Sequence, residues 1–334
     1  MAEPLVETAL APAAGRPLRR YLLLAAGVFV SAGLAWLATR NVDPQAFAAA
    51  FRRSDWWYLL PSGAALVAAV ACRWLRWWLL FARRRRPPLH ALGRAFLIGY
   101  LFNNLLPARP GELARALALK REVRTSVAEA LATTAAERVY DVLALVGLLL
   151  LSAPFLPESP NVRTATIAAG LVTGATLAAA VAFGRKGARL ERLLARVPGV
   201  SASAAGRWTA SVLDGLVSLR DLRIAASAAA LTAVSWVLLA VSAWTLLEAF
   251  HLRLGFGVAV LVVGAANLTL LVPASPGGVG VFEAAVVGVL LGFSVDRSAA
   301  LSYAVALHGL NFFPYVVVGA VALQRHLALV RSRG

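Results

Sequence analysis

The chain has 334 residues, 60% of them hydrophobic and 15% charged, with a mean hydropathy of +0.74. Soluble domains run nearer 45–50% apolar and about 25% charged. The composition therefore excludes an ordinary soluble enzyme, a disordered chain and a disulfide scaffold, and it demands a bilayer. Lys and Arg number 33 against 16 acidic residues, a net charge of +17. No nucleic-acid-binding module accompanies that excess, so it is read as basic loops facing anionic headgroups. The single cysteine, Cys72, makes neither an internal disulfide nor a cysteine-based zinc site.

Taken in chain order, six apolar stretches predict spanning helices: about 20–39, 56–81, 126–153, 164–183, 222–249 and 298–323. The first is too long for a signal-peptide core and is read as an uncleaved span. Two more apolar stretches, about 91–119 and 256–292, are broken in the middle. Leu106-Pro107-Ala108-Arg109-Pro110-Gly111 interrupts one, and Val272-Pro273-Ala274-Ser275-Pro276-Gly277-Gly278 the other. Proline removes a backbone donor, and glycine frees the chain to turn. The flanking helices, at roughly 8–14 residues, fall short of the length that crosses a bilayer. Both stretches are therefore expected to be re-entrant hairpins.

The fold class expected is an all-α polytopic membrane protein with six spanning helices plus two re-entrant hairpins. A tail at 1–19 precedes a transmembrane domain at 20–325, and a second tail follows at 326–334. With the N-terminus inside, 24 of the 33 basic residues fall on the cytoplasmic side, six outside and three within spans. This places both termini in the cytoplasm of an inner (plasma) membrane protein. The segment 185–220, with basic and apolar residues at helical spacing, suits an amphipathic helix on the inner leaflet.

The order span, span, hairpin, span occurs twice, at 20–153 and 164–323. Leu105 to Gly111 echoes Leu271 to Gly277 at an offset of 166 residues, as do the starts of spans two and five. Three crossings per half invert the second half. Inverted repeats with interrupted helices at matching positions point to a transporter with its site near the midplane.

Charges inside spans are functional candidates. In span three, Arg138 reaches Asp141 at i+3, which leaves Glu137 as a lone carboxylate needing a cation or a proton. The other reading is an ion cluster that fixes helix packing. The first break carries Asn103, Asn104, Arg109, Glu112 and Arg115. Its following helix would aim a positive N-terminus at a phosphate, and Arg109 would add a planar fork. Solvated loop arginines are the alternative. The second break offers Ser275, Gly277, Gly278 and Gly280 before another helix N-terminus, with Glu283 after it. No Lys-Ser/Thr follows, so it is not a P-loop, and tight packing of small residues would also explain the pattern. Arg73 and Arg76 sit among Trp74, Trp77 and Trp78. They are read first as snorkelling arginines in an aromatic belt, and secondly with Arg73 paired to Glu137 or a lipid phosphate. His308 and Asn311 either line the path or satisfy each other. No nucleophile–base pair, metal set or cofactor motif is present in the sequence, so no catalytic residue is assigned.

These residues carry a resemblance. Arg73-Trp74, the stretch from Asn104 through Arg109, Gly111, Glu112 and Arg115, the Glu137-Arg138-x-x-Asp141 run and Pro276-Gly277-Gly278-x-Gly280-x-x-Glu283 resemble the lysylphosphatidylglycerol synthase transmembrane region, or flippase-like, family. The resemblance covers about 20–325. It implies a membrane protein that moves, or helps to move, a lipid between leaflets. The partner implied is an anionic or isoprenoid-linked lipid, with a separate lipid synthase or glycosyltransferase as a possible companion. Synthases of the family add a soluble aminoacyltransferase domain. This chain stops about ten residues after its last apolar stretch, so aminoacyl transfer is not expected of it. A module that only docks or supports a lipid enzyme is the other function class.

Overall fold

A computed structural model describes residues 29–81, 86–106, 110–123, 125–152, 221–269 and 275–332. The expected span at 164–183, the surface helix at 185–220 and the N-terminal tail lie outside the described residues. So do Pro107, Ala108 and Arg109 of the first break and residues 270–274 of the second. Among the described residues the fold is all-helical, with no strand.

In chain order the helices are α1 (Phe29–Thr39), α2 (Pro44–Arg53), α3 (Leu59–Leu80, entered through a 3-10 turn at Trp56–Tyr58), α4 (Leu89–Leu105) and α5 (Gly111–Val123). They continue as α6 (Val127–Ser152), α7 (Leu222–Ala249), α8 (Phe256–Leu268), α9 (Val281–Leu291) and α10 (Arg297–Ser332), with a 3-10 turn at Pro276–Gly278 before α9. Trp56–Leu80, Leu222–Ala249 and Arg297–Ser332 are long and apolar enough to cross a bilayer. The 26-residue α6 is as long, but it carries Glu129, Glu137, Arg138 and Asp141.

Two lengths differ from expectation. The helix before the first break has 17 residues. At 1.5 Å per residue that is about 25 Å, the lower limit of a spanning helix rather than clearly short of one. The last helix has 36 residues and continues to Ser332, through residues expected as a tail. Its length, about 54 Å, exceeds a hydrocarbon core of roughly 30 Å, so the apolar pattern ends before the helix does.

The chain divides into two compact units, each drawing on both halves of the sequence. Unit one comprises Met1–Ala69, Leu97–Ala114 and Val237–Ala328. It holds α1, α2, the start of α3, the end of α4, the first turn of α5, the end of α7, and α8 to most of α10. Its helices are tied by buried polar contacts. Ser62 Oγ donates to the Ser242 carbonyl at 2.7 Å, and the Tyr303 hydroxyl donates to the Ala243 carbonyl at 2.9 Å. Gly319 lets α10 lie against Leu97 and Leu101 of α4, and Tyr100 stacks on Tyr315 at 4.4 Å. Such small-residue and hydrogen-bonded contacts hold helices together where lipid supplies no hydrophobic drive. The short α2 is built locally. Asp43 caps it through the Gln45 N–H at 2.8 Å, Pro44 pre-sets φ, and Arg52 and Arg53 close its last turn. Its Phe51 packs on Trp56 and Phe250. The helices flanking the second break, α8 and α9, pack on each other.

Unit two comprises Val70–Phe96, Arg115–Trp236 and Leu329–Gly334. Its described part is the end of α3, the start of α4, most of α5, α6, the start of α7 and the last turn of α10. Trp77, Leu80, Phe81, Leu92 and Leu119 are fully buried in it, together with the charged Arg76.

Candidate functional site

The candidate residues assemble into two constellations, one in each unit. In unit two, α3, α5, α6 and α7 converge on a buried charge cluster. Arg76 donates through Nη1 to Asp141 Oδ1 at 2.7 Å and to Thr232 at 2.9 Å. Its Nη2 donates to Glu137 Oε1 at 3.3 Å. Arg115 Nη2 donates to Glu137 Oε2 at 2.5 Å and to Thr134 at 2.6 Å. The guanidinium of Arg115 lies 4.3 Å from the ring of Trp77, whose own N–H donates to Thr133. Trp236 Nε1 donates to Asp141 Oδ1 at 3.2 Å. Arg76 is 2% exposed and Glu137 4%. The cluster is a chain of alternating charge, Asp141–Arg76–Glu137–Arg115, in which each carboxylate has more than one donor.

This changes several expectations. Glu137 is not a lone carboxylate, because two guanidinium groups hold it. Arg76 does not snorkel in an aromatic belt; it is the central cation of the cluster. Arg73 lies over the Trp236 ring at 5.2 Å, and Arg76 is paired with Glu137. Arg138, expected to neutralise Asp141 from its own helix, is exposed and acts on Asp141 electrostatically, while Arg76 supplies the hydrogen bonds. Arg115, expected to meet a headgroup, is 8% exposed and committed to Glu137 and Thr134. Sequence reasoning missed Thr232 and Trp236 altogether. Nothing in their local pattern marks them, since they act only across helices.

Unit one contains the two breaks. At the first, the Gly111 N–H donates to Asn103 Oδ1 at 2.8 Å. A Cβ on Gly111 would overlap the Gly99 carbonyl, so the glycine is what lets α5 start against α4. Glu112 is half-buried in the first turn of α5. Asn104 donates to its own Tyr100 carbonyl at 2.9 Å.

At the second break, Gly277, Gly278 and Gly280 have φ of 73°, 72° and 86°. This left-handed run is open to glycine at little cost. The Ser275 N–H donates to Ser31 Oγ of α1 at 2.8 Å. The Gly280 N–H donates to Glu283 Oε2 at 2.7 Å, and Glu283 Oε1 lies 2.5 Å from His308 Nδ1. The other ring nitrogen, Nε2, lies 3.0 Å from the Gly277 carbonyl. Asn311, one turn along α10, donates to its own Leu307 carbonyl, while both ring nitrogens of His308 face Glu283 and Gly277. The end of α4 comes close to the second break: a Cβ at Gly277 would stand 3.7 Å from the Asn104 carbonyl.

The expected anion sites are therefore changed in character. Each helix that follows a break has an N-terminal amide already held by a side chain, Asn103 at α5 and Glu283 at α9. A carboxylate already stands at the start of α9, where a phosphate was expected.

The family model of the lysylphosphatidylglycerol synthase transmembrane region matches residues 24–319. The chain belongs to this family. A UPF0104 membrane protein of Methanothermobacter thermautotrophicus is 23% identical over 299 residues, 84% of this chain and 86% of that protein. The UPF0104 membrane protein MJ1078 of Methanocaldococcus jannaschii is 25% identical over 231 residues, 66% of this chain and 91% of that protein. Glycosyltransferase AglD of Haloferax volcanii is 28% identical over 343 residues, 90% of this chain but 54% of that protein. Both constellations lie within the region matched to the lysylphosphatidylglycerol synthase transmembrane family.

Proposed function

We propose that the protein is a lipid translocase of the bacterial or archaeal cell membrane, with six crossings and two re-entrant hairpins. It moves a phospholipid or a polyprenyl-linked or glycolipid molecule between leaflets by alternating access around the two breaks, without transforming it. The observation that carries this reading is the meeting of the Asn104 carbonyl with Gly277. Two interrupted apolar segments come together at a polar cluster, and that is where transporters of inverted-repeat design bind substrate. Arg109 in the first break is the headgroup contact in this reading.

The test is lipid movement resolved by leaflet in proteoliposomes, across phosphatidylglycerol, a polyprenyl phosphate and a glycosylated lipid. The expected result is one headgroup class equilibrating faster than in protein-free vesicles. Arg109→Lys, which keeps the charge but loses the bidentate fork, should slow it while leaving folded protein at the wild-type level. No acceleration for any class removes the translocase reading. A second reading is favoured by the glycosyltransferase relative, in which the matching region is about half of the protein. There the chain is a membrane module supporting a separate glycosyltransferase or lipid synthase, and co-purification of such an enzyme with unchanged lipid movement would select it.

The charge bias further predicts sidedness. A cysteine at Ser294 should react with an impermeant maleimide from outside, and one at Ser332 only after permeabilisation. The reverse pattern would invert the topology.

A further inference from the structure

We propose that Glu283 and His308 together bind one exchangeable proton, and that its release loosens the turn from Gly277 to Gly280. The hydrogen-bond chemistry of the pair carries this. The Gly277 carbonyl facing Nε2 is an acceptor only, so Nε2 carries a hydrogen. A neutral imidazole with its hydrogen on Nε2 presents a lone pair at Nδ1. An ionised carboxylate presents only lone pairs. Those two atoms lie 2.5 Å apart, and facing lone pairs at that distance repel. One proton therefore lies between Nδ1 and Oε1, whether the pair is written as imidazolium with carboxylate or as imidazole with carboxylic acid. Either way the loaded pair is neutral.

The surroundings make this proton consequential. Phe282 of α9 stacks on the His308 ring at 4.5 Å, and Phe312 of α10 meets it edge-on at 6.1 Å. The turn supplies the Gly277 carbonyl and the Gly280 N–H. Among the described residues, His308 is the titratable group facing Glu283. Both side chains are 12% exposed, so the proton has a way out while the negative charge left behind has poor solvation. On deprotonation the pair parts. If the ring leaves, the Gly277 carbonyl is freed; if the carboxylate leaves, the Gly280 N–H is freed. Each loosens the glycine run that abuts Asn104 at the end of α4. Under the translocase reading, on which this last step rests, the proton is the coupling ion.

Glu283→Gln separates the possibilities. Its amide donates to a neutral Nδ1 and its carbonyl accepts from Gly280, so it mimics the loaded pair permanently. The measurements are nitrogen NMR of histidine-labelled protein in nanodiscs and maleimide labelling at Val281→Cys, a position buried where the closed turn enters α9, with Cys72 replaced by alanine, across roughly pH 5 to 9. There are four histidines, and the His308 signals are assigned by their loss in His308→Gln. Nδ1 should lose its proton as pH rises. Labelling should accelerate in step, by about tenfold per pH unit while one proton controls the opening. Folded Glu283→Gln should label slowly at every pH, and His308→Gln quickly at every pH. A His308 ring that does not change, or labelling that stays flat in folded wild type, overturns the proton site. If the ring titrates but lipid movement ignores an imposed pH gradient, the coupling role is overturned and the translocase survives. If wild type moves no lipid at any pH while the ring titrates, the translocase fails and the proton site stands.

Discussion

Glu137→Gln should remove most of the folded protein from the membrane. Glu137 joins Arg76 to Arg115, and its amide replacement leaves two buried cations sharing the single charge of Asp141. Arg76 keeps its Asp141 bonds, but Arg115 loses its carboxylate contact to Glu137 and keeps Thr134 and the faces of Trp77 and Phe96. Stranding a buried charge in this way costs about 3–5 kcal/mol. Against a total stability of about 5–15 kcal/mol, that is enough to change accumulation severalfold or more. The sign of the argument is checked by the double variant Glu137→Gln with Arg115→Met. Removing the stranded cation together with its partner should recover much of the loss, since a buried pair replaced by apolar volume is often neutral. The measurements are detergent-extracted yield and melting temperature for the single and double variants. A Glu137→Gln protein that accumulates and melts like wild type, yet moves no lipid, would transfer Glu137 from the packing of unit two to the transport path.

The cluster shows where sequence reading stops. That span three carried too much charge was plain from Glu137, Arg138 and Asp141. A sequence displays only the i+3 and i+4 neighbours on the same helix. The partners are Arg76 and Arg115, 61 and 22 residues away. An arginine between tryptophans reads equally as an interface anchor and as a core cation. Only its neighbours decide, and Thr232 and Trp236 come from a helix about 90 residues further on.

The helix boundaries were easier. The apolar stretch at 222–249 and α7 coincide, and both Pro-Gly breaks interrupt their helices where proline and glycine demand it. Length was the weak point, since apolarity reports the bilayer while a helix continues as long as its backbone bonds do. That is why α10 runs to Ser332. At the breaks, the sequence displayed helix N-termini suited to an anion but concealed their self-capping. Glu283 stands three residues after Gly280, a spacing that announces a carboxylate reaching back to the start of its own helix. His308 is 25 residues from Glu283, and no local pattern links them.

A graded alanine series through the glycines should rank by geometry alone, with the largest losses at Gly111 and Gly280. Gly280 combines two barriers. Its φ of 86° strains any side chain by about 1–3 kcal/mol. An added Cβ would also overlap the Ser31 carbonyl and come 2.8 Å from the Ala35 Cβ, so α1 has to move off the turn. Gly111 has only the second barrier, but on two sides, against the Gly99 carbonyl and the Asn103 side chain that caps α5. Gly278 has only the first, with a φ of 72° and open space around it, so its alanine should cost about 1–2 kcal/mol. Gly33, helical and open, should gain a few tenths to about 1 kcal/mol from alanine. Melting temperature and extracted yield across the four variants test the order: Gly33→Ala at or above wild type, Gly278→Ala modestly below, Gly111→Ala and Gly280→Ala far below. Loss at Gly278 as large as at Gly280 would mean that strain rather than contact governs the second break. Wild-type stability at Gly111 would mean that α5 does not start against α4, and the close approach at the first break would fall with it.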